Sequence, residues 1–207
     1  MCFNANVSIV TFIVGLLGCF ILIQNKKENY IPEAIFYLWV IQMQLVEFIL
    51  WKNQPCNKNN IKITTIGIII NHMEPIILWL AILLFSTKKL PSWVNYTLLF
   101  YLFYSIFYSI SAIKHECTNV TSESSPHLYW KWNNKNGSSI YYGLFLFCLI
   151  ILSIYGLKFG YHQAILISFS FALSGIIYGK YKSTGAMWCF AAAFAPIITP
   201  YFYKIKL

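Results

Sequence analysis

Ile63–Phe85 reads ITTIGIIINHMEPIILWLAILLF, and this stretch decides the fold. Crossing about 30 Å of hydrocarbon takes roughly 20 mainly apolar residues in a helix. Inside lipid only a helix or a closed barrel satisfies its own backbone. Six further stretches share this character, at about Asn6–Gln24, Glu33–Trp51, Trp93–Ile113, Ser139–Leu157, Tyr161–Tyr178 and Gly185–Tyr203. Only Lys158, Phe159 and Gly160 separate the fifth from the sixth of the seven. The expectation is an all-α membrane protein: one transmembrane domain over residues 1–207, built as a bundle of seven transmembrane helices.

Composition supports that solvent. A 207-residue chain that is 58% hydrophobic and only 10% charged carries more apolar surface than one soluble core of its size hides. The net charge of +9 is scattered between apolar runs and never forms a contiguous patch. Nucleic-acid recognition needs a basic stripe on one face, so no nucleic-acid partner is expected. The partner implied is the lipid bilayer. No repeat of fixed period, no low-complexity tract and no long linker divides the chain.

Positive residues prefer the cytoplasmic side. No Lys precedes the first span, while Lys26 and Lys27 follow it directly, the reverse of a cleaved signal. The N-terminus is therefore expected to be translocated and, after seven spans, the C-terminus with Lys204 and Lys206 cytoplasmic. Counted over all loops, lysines divide almost evenly between the two sides. The glycosylation sequons at Asn119 and Asn136 fall in the longest loop, on the translocated side. That loop, Lys114–Ser138, carries Tyr129, Trp130 and Trp132, whose expected place is the lipid headgroups, with a lid over a binding site as the sharper alternative.

Ionisable groups inside a span are costly and mark sites or pathways. Glu47 and Glu74 are the two that matter. Gln44, Glu47 and Trp51 stand three and four residues apart, hence on one helical face. Asn71, His72, Glu74 and Pro75 lie near the middle of the third span. Pro75 has no N–H, which is expected to free the Asn71 carbonyl for another donor. A buried polar site of Gln44, Glu47, Asn71, His72 and Glu74 follows, with a hydrogen-bonded clasp between helices as the competing reading. The tyrosines and serines at 101, 104, 105, 108 and 109, the Gly175 and Gly179 pair and the run Ala191–Ala193 read as helix packing.

Cys2, Cys56 and Cys117 share the N-terminal side, and Cys189 enters the seventh span from it. In an oxidising compartment Cys56 and Cys117 could form a disulfide joining two loops; in a reducing one the same thiols with His115 and His127 could hold a metal. No tight zinc spacing occurs, and no metal site is assigned. Retinal-type pigments need a lysine within the last helix, and Gly185–Tyr203 has none. A ceramidase-type metal hydrolase needs several His and an Asp in its spans, and this chain has no Asp.

Three islands carry a family resemblance: Met1, Cys2, Phe3, Asn4 and Ala5; Gln44 with Glu47 and Trp51; and Trp188, Cys189, Phe190, Ala191 and Ala192. The chain resembles an uncharacterised family of small multipass membrane proteins, mainly bacterial, that opens Met-Cys-Phe-Ser. That family places Gln and Glu before a Trp in the second span and Trp-Cys-Phe near the last. Asn4 stands where it has Ser, and Asn71–Pro75 lies outside its pattern. The resemblance implies fold and topology, not an activity, and it points to Cys2 and Cys189 as a possible thiol pair. The first expectation for function is a small transporter or channel-like protein, in which Glu47 and Glu74 bind a proton, cation or small-molecule substrate. The alternatives are a membrane enzyme acting on a lipid or small apolar substrate with His72 and a Glu as acid and base, or a receptor-like or structural protein.

Overall fold

The computed structural model describes residues 4–24, 30–113, 117–120, 127–134, 137–179 and 183–203. Over these residues the protein is helical: α1 (Ala5–Gln24), α2 (Ile31–Val40), α3 (Gln42–Lys52), α4 (Lys58–His72), α5 (Glu74–Phe85), α6 (Ser92–Ala112), α7 (Ser138–Gly156), α8 (Gly160–Tyr178) and α9 (Thr184–Phe202). Five helices are long and apolar enough to cross a membrane, with α2 and α3 counted as one, Ile31–Lys52. The bent pair α4 and α5 makes a sixth. Helix α6 lies outside that set. Its tyrosines and serines lower its mean hydropathy, so the described helices apolar enough to cross a membrane number five or six rather than the expected seven.

α1 shows how the bundle is held. Its buried stripe is Ser8, Thr11, Gly15, Gly18, Cys19 and Leu22, small or polar, while Val10, Ile13, Leu17 and Phe20 face outward. Large apolar groups outside and small ones inside are what a lipid-solvated helix needs, because packing rather than water exclusion holds such helices together. A Cβ on Gly15 would sit 2.7 Å from Ile41 Cγ2 and 3.0 Å from the Ala193 carbonyl oxygen, so α1 and α9 approach at backbone distance. Among the described residues the expected close approach at Gly175 and Gly179 is not found: a Cβ at either meets Thr184 alone, at 3.9 Å.

Loops gather at two ends. At one end Cys56 and Cys117 are joined by a disulfide. Beside it the Thr118 N–H donates to Asn60 Oδ1, and the Thr118 carbonyl accepts from Asn60 and Gln54, each at 3.0 Å. Strand β1 (Asn119–Val120) pairs antiparallel with β2 (Leu128–Tyr129), and a 3-10 turn, Lys131–Asn134, leads back to α7. At the other end Ser86 Oγ donates to the Gly156 carbonyl and Lys88 Nζ to that of Leu157, both at 2.6 Å. These bonds tie the α5–α6 loop to the three-residue turn between α7 and α8.

Trp130 and Trp132 correct the expectation of headgroup anchoring. They are 1% and 0% exposed and stack at 4.9 Å between ring centroids. Tyr108 donates to the Trp132 carbonyl, and the Trp132 ring comes within 3.9 Å of where a Cβ on Gly67 would stand. This part of the loop is a plug seated in the bundle, because two indoles bury more apolar area against helices than at an interface.

Candidate functional site

The helical stretch expected as the third span breaks at Met73, where α4 and α5 meet at 46°. Pro75 starts α5 at a position where the missing N–H costs nothing, and Glu74 falls in that first turn. The expected free carbonyl at Asn71 is not the acceptor used, because the Met73 N–H turns back toward Asn71 and Ile69. The Ile70 carbonyl accepts instead from Trp39 Nε1, and the His72 carbonyl from the Tyr101 hydroxyl, both at 2.8 Å. At this bend the side-chain donors thus reach main-chain acceptors one residue to either side of the expected one.

Around the break, Asn71 Nδ2 donates to Glu74 Oε1 at 3.1 Å, and the Tyr142 hydroxyl donates to Asn71 Oδ1 at 3.0 Å. Asn71, His72 and Glu74 are all buried. Glu74 Oε2 meets no hydrogen-bond partner. His72 turns the other way, with Nδ1 2.7 Å from Ser109 Oγ and Nε2 3.4 Å from the Tyr142 hydroxyl. Its ring lies 4.6 Å from that of Tyr141. The Tyr141 hydroxyl in turn meets Tyr101 at 2.9 Å and Ser105 at 3.0 Å.

Gln44 and Glu47 form a second amide and carboxyl pair, Nε2 to Oε2 at 3.0 Å, both fully buried on α3. Among the described residues no hydrogen bond joins this pair to Asn71 and Glu74. The five expected residues are therefore brought into two centres rather than one, with His72 in a tyrosine cluster of its own. Trp51 is half-buried. Cys189 is buried on α9, and Cys2 lies outside the described residues, as does His115. Among the described residues no three His, Cys, Asp or Glu side chains gather as a metal site.

A cavity of about 370 Å³ reaches this centre from between α7, α8 and α9. Its mouth carries Ser138, Ser139 and Thr184 from the first turns of α7 and α9. Phe145, Phe171 and Trp188 form an aromatic wall, and Asn71 and Tyr142 supply its inner polar atoms. Phe145 and Phe171 meet Trp188 edge-on at 5.7 and 5.9 Å, which fixes that wall. Sequence reading missed Tyr101, Tyr141 and Tyr142. The available signal was a phenol hydroxyl inside an apolar span, which must find a partner there. It also passed over Glu33, taken only as the border of the second span.

Compared with known proteins, the chain matches no family model, no curated protein and no solved structure. The likeness to the Met-Cys-Phe-Ser family therefore rests on its three islands alone.

Proposed function

We propose that this protein is a seven-pass membrane transporter. In this reading the cavity between α7, α8 and α9 takes a small amphipathic substrate, and Glu74, at the break between α4 and α5, binds the coupling proton or cation. The observation that carries it is Asn71, which lines the cavity and donates to the Glu74 carboxyl. Broken helices that put side chains and unpaired main-chain groups at one depth are a recurring way to build such a site. Glu74 in the first turn of α5 also has the positive end of a helix dipole behind it.

Helix α6 is the remaining pass. At 21 residues and 1.5 Å per residue it is about 30 Å long. It turns Phe100, Phe103, Phe107 and Ile110 outward while Tyr101, Ser105 and Tyr108 face the bundle. Mean hydropathy ignores that division of faces. For orientation, the Cys56–Cys117 bridge argues that its end of the bundle, shared with Asn4, is the translocated one, since disulfides persist in oxidising compartments. The enzyme alternative gains less, because Tyr142 rather than His72 lines the cavity.

The test is flux in reconstituted vesicles holding a pH or cation indicator, driven by a potassium diffusion potential or a pH gradient. Wild-type protein should pass protons or a monovalent cation faster than protein-free vesicles, and Glu74→Gln should remove that excess. Wild-type vesicles as tight as empty ones, or an E74Q variant as fast as wild type, would end the proposal.

A further inference from the structure

The end of the bundle opposite the disulfide holds another buried carboxyl. Glu33, in the first turn of α2 after Pro32, is 1% exposed, and neither of its oxygens meets a hydrogen-bond partner. It lines a cavity of about 90 Å³ with Ser86, Thr87, Lys88, Gly156 and Lys158. Thr87, Lys88 and Lys158 are exposed, so this cavity has a route to water. Lys88 shares the space but spends its ammonium on the Leu157 carbonyl, the bond that fastens the α5–α6 loop to the α7–α8 turn.

We propose that Glu33 is a proton-binding site and that Lys88 is the latch it controls. An unpaired carboxylate buried this deeply is far costlier than the neutral acid, so the arrangement described is the protonated one. Glu33 then makes no demand on Lys88, and the ammonium holds Leu157. When the proton leaves through the cavity to water, Glu33 becomes an anion whose mobile counter-charge across the cavity is Lys88. The ammonium exchanges Leu157 for Glu33, and the α7–α8 turn loses one of its two ties to the α5–α6 loop. Among the described residues the other titratable groups that sense Glu33 are the phenols of Tyr37 and Tyr203, with Lys158 at the cavity rim. Gln163 engages both phenols: its Nε2 donates to the Tyr37 hydroxyl, and Tyr203 donates to its Oε1 at 2.9 Å. The phenols are accordingly held in place and Lys158 Nζ stands over the Phe159 ring at 5.1 Å, so Lys88 is the group assigned the move.

The experiment uses the full chain in lipid vesicles and two readouts. Dicyclohexylcarbodiimide adds to protonated carboxyls in apolar surroundings, and peptide mapping should find it on Glu33, falling roughly tenfold per pH unit above a midpoint. Hydrogen exchange, corrected for the intrinsic effect of pH, should show the Leu157–Gly160 turn protected at low pH and losing at least about tenfold of that protection as labelling falls. Glu33→Gln should stay protected throughout, and Lys88→Met should be unprotected throughout. Absence of Glu33 labelling at every pH overturns the proposal, as does an E33Q profile that follows wild type. If E33Q does not fold, wild-type labelling and the K88M profile decide alone. No transport is measured, so the outcome is separate from that of the transporter reading.

Discussion

Removing the Asn71 side chain tests the centre at the helix break most directly. Asn71→Ala takes the sole described donor from Glu74 Oε1, and Glu74 Oε2 already lacks a partner. Tyr142 loses its bond to Asn71 but keeps His72 Nε2 at 3.4 Å. The damage should therefore concentrate on a carboxyl that is 0% exposed. An orphaned buried polar group costs about 1–3 kcal/mol. Side-chain hydrogen bonds between helices of membrane proteins couple by about 0.6 kcal/mol on average and about 1.7 at most. N71A and E74A are each expected to lose about 2–3 kcal/mol, and the double variant to lose less than their sum by about 0.6–1.7 kcal/mol. The assay is reversible unfolding in mixed micelles, followed by tryptophan fluorescence and far-ultraviolet circular dichroism. A coupling below about 0.3 kcal/mol, the usual scatter of independent sites, would refute the bond. One above about 3 kcal/mol would show a charged carboxylate held by Asn71, and the neutral-acid picture of such buried carboxyls would be wrong at this position.

The Cys56–Cys117 bridge closes a loop with a sequence separation of 61, which on the chain-entropy estimate stabilises by about 4 kcal/mol. The C56S/C117S variant should unfold at correspondingly lower denaturant, and reductant should shift the electrophoretic mobility of wild type but not of the variant. Trp132→Ala should cost about 3–5 kcal/mol, as expected for a fully buried indole, and brominated lipids should quench Trp132 weakly. A cost below about 1 kcal/mol with strong quenching would return this loop to the headgroups.

Much of the architecture was legible in order along the chain. The apolar runs marked where helices lie, because a span must meet its length requirement locally, but not that the second and third runs each divide into two helices. The break at Met73 was not legible: Pro75 announced a missing N–H within one continuous span, and the 46° bend appears only in the folded chain. Three-residue spacing did announce the Asn71–Glu74 and Gln44–Glu47 pairs, which form within one turn of each other.

What the sequence could not determine was which faces meet. Tyr142 became part of the centre only because α7 lies beside the α4–α5 break, and Trp132 became a plug only because the folded loop brings its ring against the bundle near Gly67. Glu33 marked only the border of its span, and its burial comes from the turn after α7 and the loop after α5 closing over it. The opening stretch, Ile63–Phe85, shows the same division. Its helicity and its polar residues are properties of twenty-three consecutive positions. That Asn71 faces a cavity while His72, the next residue, faces tyrosines depends on neighbours distant in the chain. Backbone hydrogen bonding in lipid is satisfied within each helix, but side-chain partners are chosen by packing, and packing exists only in the assembled bundle.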